Sequence, residues 1–252
     1  MEENNTINEE VVIINDTRDT GPNNDQRQIV GAIVIAAIIF AGAFLLKGTG
    51  GEATPGTVGV TKVSTAKKIG LNTKTFNTCL ASGKFKDKVQ ADFDDGTRAG
   101  VSGTPSSFVL KNGVVVDTIP GAQPLETVTQ KVKSAQSDAK QPLPIQVRPI
   151  SPDEHILGNV NAKIIIVEYS DLECPFCKVF HTTMHQVVEK NNGDVAWVYR
   201  HYPITQLHSK AFHEAEATEC AWEQGGNETF WKYTDRIFEI TQSNNRLDES
   251  EL

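Results

Sequence analysis

The residues of this chain best suited to chemistry are two cysteines, Cys174 and Cys177, in the run CPFC. They follow the apolar run KIIIVEYS (163–170), which reads as a central strand, and they open a stretch with helical character that extends to Lys190. A cysteine at the start of a helix meets unpaired backbone N–H groups and the positive end of the helix dipole, so its thiolate is stabilised. Cys174 is then the nucleophile that attacks a disulfide. Cys177, one turn later and deeper, is placed to resolve the mixed disulfide. Pro175 keeps the first turn helical without needing a donor.

Two other readings of the pair are a metal site and an inert structural disulfide. His181 and His185 follow in the pattern C-x2-C-x3-H-x3-H. On one continuous helix, however, Cys174 and His185 lie about 16 Å apart. They cannot ligate the same zinc ion, whose bonds run near 2.0 to 2.3 Å. The redox reading therefore leads, and it requires no cofactor. His155, His201, His208 and His213 are expected on surfaces or in local hydrogen bonds. Trp222, Phe230, Trp231 and Tyr233 are expected in the core. No glycine-rich phosphate loop, Ser-His-Asp arrangement or metal cluster stands out.

At 252 residues the chain can bury a sizeable core, and its net charge of -8 argues against a nucleic-acid partner. Four cysteines suffice for one reactive and one structural pair, and an even count suits an oxidising compartment. Residues 29–46, IVGAIVIAAIIFAGAFLL, carry no charge and approach the length that crosses a bilayer as a helix. A cleaved signal peptide is the rival, but 28 residues rich in Glu, Asp and Asn precede this run. The expectation is an uncleaved single-pass anchor in the cell membrane. Arg27 and Lys47 balance across it, so thiol chemistry sets the orientation, with the domain on the extracytoplasmic side.

The elements that must position the cysteines fall into two blocks. Residues 1–28 read as a polar tail and 47–60 as a flexible Gly/Thr/Pro linker. Block 61–133 opens with helical patterns, in which Phe85, Val89 and Phe93 recur along one face. There follow two strands joined at Asn112-Gly113 and a helix from Pro124. A joining linker spans 134–144. Block 145–252 carries the strand before CPFC, a second strand at 194–202 and helical patterns over most of 208–242. Strands separated by helices imply an α/β sheet.

IIIVEYSDLECPFCKVF resembles the DsbA-like branch of thioredoxin-fold disulfide oxidoreductases. So do HYPITQLHSKAFHEAEATECAWEQG, FNTCLASGKF and GVSGTPSSFVLKNG, and together these cover nearly all of 61–252. The resemblance implies a thioredoxin-like fold with a helical insertion. It implies action on protein or peptide thiols and disulfides, with a membrane redox protein as a candidate partner. It gives Pro105 the role of a cis-proline facing the cysteines, with Thr104, Pro175 and Phe176 in the substrate groove. It gives Glu168 the role of a buried acid that moves the proton of Cys177. It also suggests a structural disulfide between Cys79 and Cys220. Read from the residues alone, Pro105 is an ordinary turn proline and Glu168 an exposed strand residue. Cys79 and Cys220 then remain open as free buried thiols or a second redox pair. The central Pro-Phe does not fix direction, although the resemblance leans toward oxidase or isomerase over reductase. The alternatives are a membrane-tethered binding module or a metal chaperone with a non-catalytic cysteine pair.

In that family the CxxC half comes first, whereas here Pro105 precedes Cys174. The chain reads as a circular permutant. RLDESEL begins a helix at Asp248, TKVSTAKKIGL lacks a start signal, and joined they make one helix with Leu252, Val63, Ala66 and Ile69 in register. Exchange of halves between two molecules, or a scrambled order that does not fold, are the competing explanations. The expected outcome is the same three-dimensional domain, weakened at the break.

Overall fold

A run as apolar as Ile164–Ser170 needs cover on both faces, and it becomes the central strand of a five-stranded sheet. The computed structural model describes residues 63–137 and 139–252. The expected tail (1–28), anchor (29–46) and linker (47–60) lie outside the described residues. Among the described residues no helix is long and apolar enough to cross a membrane.

In chain order the elements are α1 (Thr65–Lys68), α2 (Thr73–Ser82), α3 (Lys86–Arg98), β1 (Ser106–Lys111), β2 (Val114–Pro120) and α4 (Leu125–Gln136). Then come β3 (His155–Gly158), β4 (Ile164–Ser170), α5 (Pro175–Lys190), β5 (Val195–His201) and α6 (Ala211–Ile240). A 3-10 turn at Glu249–Glu251 closes the series. α4 runs to Gln136, so the first residues of the expected joining linker are helical. β3 has no counterpart in the sequence reading, because four residues are too few to show an alternation.

The sheet order is β2-β1-β4-β5-β3. β4 and β5 run parallel, and the other neighbours are antiparallel. The hairpin precedes β4 in the chain yet lies beside it, with Ser106 opposite Tyr169 and Lys111 opposite Ile164. Its turn uses Asn112 and Gly113 at φ 51° and 80°, the left-handed conformation that favours these two residue types. Side chains alternate across β4. Ile164 and Ile166 join Trp197 and Tyr199 in a core with α4, α5 and α6. Val167 and Tyr169 join Phe108, Val198 and Tyr202 in a second core, against which Phe93, Ile145 and Val147 pack.

A buried ionic network ties the two blocks together. Arg200 on β5 is fully buried, with Nη1 2.7 Å from Asp95 Oδ2 and Nη2 2.8 Å from Glu154 Oε1. The Tyr169 hydroxyl donates to Asp95, and Arg148 reaches Asp92 at 2.6 Å. Asp92 and Asp95 belong to α3, so the first block is clamped to the second. Removing one member of such a buried network costs about 3–5 kcal/mol. The segment between the blocks is bonded too: Leu143 N–H donates to Val115 O at 2.8 Å.

The expectation that α1 lacks a start signal is corrected by Ser64, whose hydroxyl caps it by accepting from Lys67 N–H. Close by, Ala66 N–H donates to Leu252 O at 3.3 Å, and Lys68 pairs with Glu251.

Candidate active site

β4 delivers the chain to the C-terminal end of the central strand, and the next four residues are held tightly before α5 begins. Asp171 Oδ1 accepts from Glu173 N–H at 2.8 Å, while Oδ2 accepts from Ile204 N–H and meets His208 Nδ1 at 2.9 Å. Glu173, fully buried, accepts from Asn245 N–H at 2.6 Å and Leu247 N–H at 3.2 Å. Both side chains accept from backbone donors and so fix the loop. The sequence reading missed these two residues, although their signal is plain: two acids in the three positions before a buried motif.

Cys174 is the N-cap of α5, with Pro175 at the first helical position. Its sulfur is buried, whereas Pro175 and Phe176 are exposed, Phe176 to 64 %. Cys177 lies one turn further on, fully buried, and its sulfur accepts from Asp171 N–H at 3.4 Å. Both are free cysteines. The two thiols are driven in opposite directions. The Cys177 thiol donating to Cys174, followed by the Thr104 side chain and the N–H groups of Cys177 and Phe176, overcomes burial and brings Cys174 down to about 6. Burial above all, with the charges of Cys174 and Glu168, pushes Cys177 well above the ordinary thiol range.

The β1 approach carries Thr104 and Pro105 to the same place. Their peptide bond is cis. Pro105 is buried, Pro105 O accepts from Gly121 N–H at 2.9 Å, and Ser106 Oγ donates to Gly103 O at 2.7 Å, so the loop is anchored on both sides. The Cys174 sulfur lies 3.4 Å from Thr104 O. That carbonyl accepts from the thiol and favours its protonated form, while the Thr104 side chain pulls the thiol down, its hydroxyl being buried without a hydrogen-bond partner.

Glu168 is fully buried on β4, opposite Ser107 of β1 and beside Tyr199 of β5. It therefore is not an exposed strand residue. It shares a face of β4 with Ile164 and Ile166, which turns it toward α5. Neither carboxylate oxygen has a hydrogen-bond partner. Burial pushes Glu168 up to about 8, and the nearby Ser170 and Trp197 pull it back only in part. Ser107 Oγ, Ser170 Oγ, Trp197 Nε1 and Tyr199 OH are likewise buried without partners. Such a ring of orphaned polar atoms is a setting for bridging water.

Cys79 on α2 and Cys220 on α6 form a disulfide, with Cα atoms 5.9 Å apart. Of the four histidines expected on surfaces or in local bonds, His155, His201 and His208 are buried and bonded across the fold. His155 Nε2 and His201 Nε2 lie 2.7 and 2.9 Å from Glu219 Oε1. The sequence spacing hides this, because Glu219 is 64 residues from His155. His181 and His185 also leave the cysteines aside and meet Asp235 of α6.

The arrangement joins an acidic thiol, a resisting thiol, a protonated carboxyl and an exposed apolar rim. That combination can exchange disulfides and move one proton as it does so.

Two families match in separate segments: the DSBA-like thioredoxin domain over residues 57–133, and Thioredoxin over residues 151–252. The Na(+)/H(+) antiporter NhaA 1 of Mycolicibacterium vanbaalenii is 36% identical over 94 residues, 37% of this chain and 15% of that protein. Disulfide bond formation protein D of Bacillus subtilis is 28% identical over 93 residues, 36% of this chain and 41% of that protein. Among solved structures, DsbA2 of Pseudomonas aeruginosa matches with 37% identity and a TM-score of 0.38, over 40% of this chain and 56% of that one. The chain thus spans well under half the length of these curated relatives.

Proposed function

This chain is a DsbA-like thioredoxin-fold protein, and on that premise we propose that it is a membrane-anchored, extracytoplasmic thiol-disulfide oxidoreductase that forms or rearranges protein disulfides through Cys174 and Cys177. The observation that carries the reading is the split between the two thiols, one at about 6 and one far above it, a helical turn apart.

In the oxidising direction a substrate thiolate attacks Cys174 of the Cys174–Cys177 disulfide. The S–S bond breaks, a mixed disulfide forms, and the electron pair leaves on Cys177. Cys177 holds a negative charge poorly, and Glu168, protonated below about 8, supplies its proton. A second substrate thiolate then attacks the substrate sulfur of the mixed disulfide and expels Cys174 as a stable thiolate. Two electrons have passed to the cysteine pair, and the substrate holds a new disulfide. Stabilising the Cys174 thiolate stabilises the reduced pair, which makes the oxidised pair a stronger oxidant. Phe176 and Thr104 flank the reacting sulfur and receive an extended, partly apolar segment of the substrate. The Cys79–Cys220 disulfide is structural on this reading, since both cysteines are buried and it ties α2 to α6.

The apolar run 29–46 supports single-pass anchoring in the cell membrane. The hairpin lying ahead of CPFC in the chain, together with the Ala66–Leu252 bond, supports a circularly permuted order in which the two blocks rebuild one domain.

A glutathione redox titration of the full chain in detergent, read by mass on alkylated Cys174 and Cys177, tests the function. A single two-electron transition nearer to about -120 mV than to about -270 mV is expected. A potential equal to that of the urea-unfolded chain would refute the reading and leave a binding module with a passive cysteine pair.

A further inference from the structure

Away from the cysteines, α5 and α6 bring together two imidazoles and a carboxylate whose contacts cannot all be satisfied by protons. His181 Nε2 lies 2.7 Å from Asp235 Oδ1, His185 Nε2 lies 2.9 Å from the same oxygen, and the two Nε2 atoms are 3.2 Å apart. Each contact needs one proton between its atoms. Asp235 as a carboxylate has none to give, and each Nε2 carries at most one. If both histidines donate to Asp235, their N–H groups crowd onto one oxygen and the 3.2 Å Nε2–Nε2 approach has a donor at each end and no acceptor. If one nitrogen is bare, its lone pair faces the carboxylate. One of the three contacts is repulsive in every assignment.

A single dication removes the conflict, because bare Nε2 lone pairs and the carboxylate all point at it. We infer that His181, His185 and Asp235 form a binding site for a divalent transition metal of the zinc class, separate from the cysteine pair. The three donor atoms lie within 4.8 Å of one another. Tetrahedral zinc with bonds near 2.0–2.2 Å holds its donors about 3.3 Å apart. The observed separations of 2.7, 2.9 and 3.2 Å therefore need to open by about 0.1 to 0.6 Å. Two histidines four apart on a helix, completed by a carboxylate from another element, form a recognised zinc-holding pattern. Trp197 and Phe238 pack against the His181 ring, with centroids at 5.1 and 4.5 Å, and fix its orientation. The His185 and Asp235 side chains are 36 % and 44 % exposed, which leaves a way in for the ion and a coordination position for water.

The other histidine–carboxylate cluster makes the contrast. His155, His201 and Glu219 meet at similar distances, but Lys88 Nζ lies 3.1 Å from Glu219 Oε1 and already supplies a cation. That cluster is sealed from solvent. Among the described residues no lysine or arginine pairs with Asp235; its ion pairs are to the two histidines. His181 Nδ1 is buried without a partner, so a metal-bound imidazole there lacks the second acceptor that strengthens such ligands. The site is accordingly an exchangeable one, weaker than a closed structural zinc centre.

The test uses the full chain with Cys174–Cys177 held as a disulfide, so that no thiolate competes. Cobalt(II) is titrated in and followed by its visible d–d absorption, then displaced with zinc(II). One equivalent is expected, with binding weakened by at least about tenfold in His185→Gln and in Asp235→Asn. Zinc should raise the melting temperature of the unsubstituted protein and not that of either variant. Both positions are partly exposed, and melting without metal reports whether the variants fold. Absence of saturable binding to the unsubstituted protein, or saturable binding that survives both substitutions, overturns the site.

Discussion

Glu168 on β4 and Glu219 on α6 are both completely buried, and the fold pushes their carboxyls in opposite directions. Burial alone raises either one. For Glu168 it wins, and the carboxyl sits at about 8 with no hydrogen-bond partner. For Glu219 the neighbouring His155, His201 and Lys88 overcome burial and hold it well below the carboxylate range. Position in the fold therefore does not decide what a buried acid does; the partners it is given do. An acid with partners is locked into structure. An acid left without them holds its proton to higher pH, and in the proposed mechanism Glu168 hands that proton to Cys177.

The largest effect separating the two should come from Glu219→Ala. It leaves Lys88 and two buried histidines facing a void, so unfolding in urea should show a loss of about 3–5 kcal/mol. Glu168→Gln should leave stability intact at pH 7 or raise it. It should instead slow attack of a thiol peptide on the oxidised pair, the step that expels Cys177, by about 10²-fold, seen by stopped-flow. An unchanged rate of that step would remove Glu168 from the proton path.

The pH dependence sharpens the contrast, because the signs are opposite. Glu168 is raised in the folded state, so its contribution is fully present below its ordinary value near 4.5 and is lost as pH climbs toward about 8. Glu219 is depressed, so its contribution is present above 4.5 and lost as pH falls through its lower folded value. Denaturant midpoints of the disulfide form, in which neither active-site cysteine titrates, should show both slopes. Glu168→Gln should flatten only the alkaline one. The smallest effect is expected from Lys88→Met, about 1 kcal/mol, because the side chain is partly exposed and the two histidines still hold Glu219.

How much of this could be read from the sequence depends on how far apart the cooperating residues lie. The hairpin was legible because Asn112 and Gly113 encode their own backbone shape. The strand at 164–170 and the helix start at Cys174 were legible because apolar content and a three-residue spacing are local signals. Ser64 as the cap of α1 could have been read and was not. The grouping of His181 and His185 with Asp235 could not be, since it depends on how α5 packs on α6, 50 residues further on. The same holds for Glu219 and its histidines. The environment of Glu168 was implied by family resemblance alone, because the emptiness around a carboxylate has no sequence pattern of its own.

The seam between the blocks has a practical consequence. Residues 137–142 join halves that are already held by a strand pair, a shared core and the Arg200 network. A nick in that stretch should therefore leave two fragments bound as a complex. Expressed apart, one fragment would hold Cys174, the proposed nucleophile, and the other the Thr104–Pro105 loop that it faces. Neither would be competent until they met, and the fold thus offers a ready-made split reporter whose signal is disulfide exchange itself.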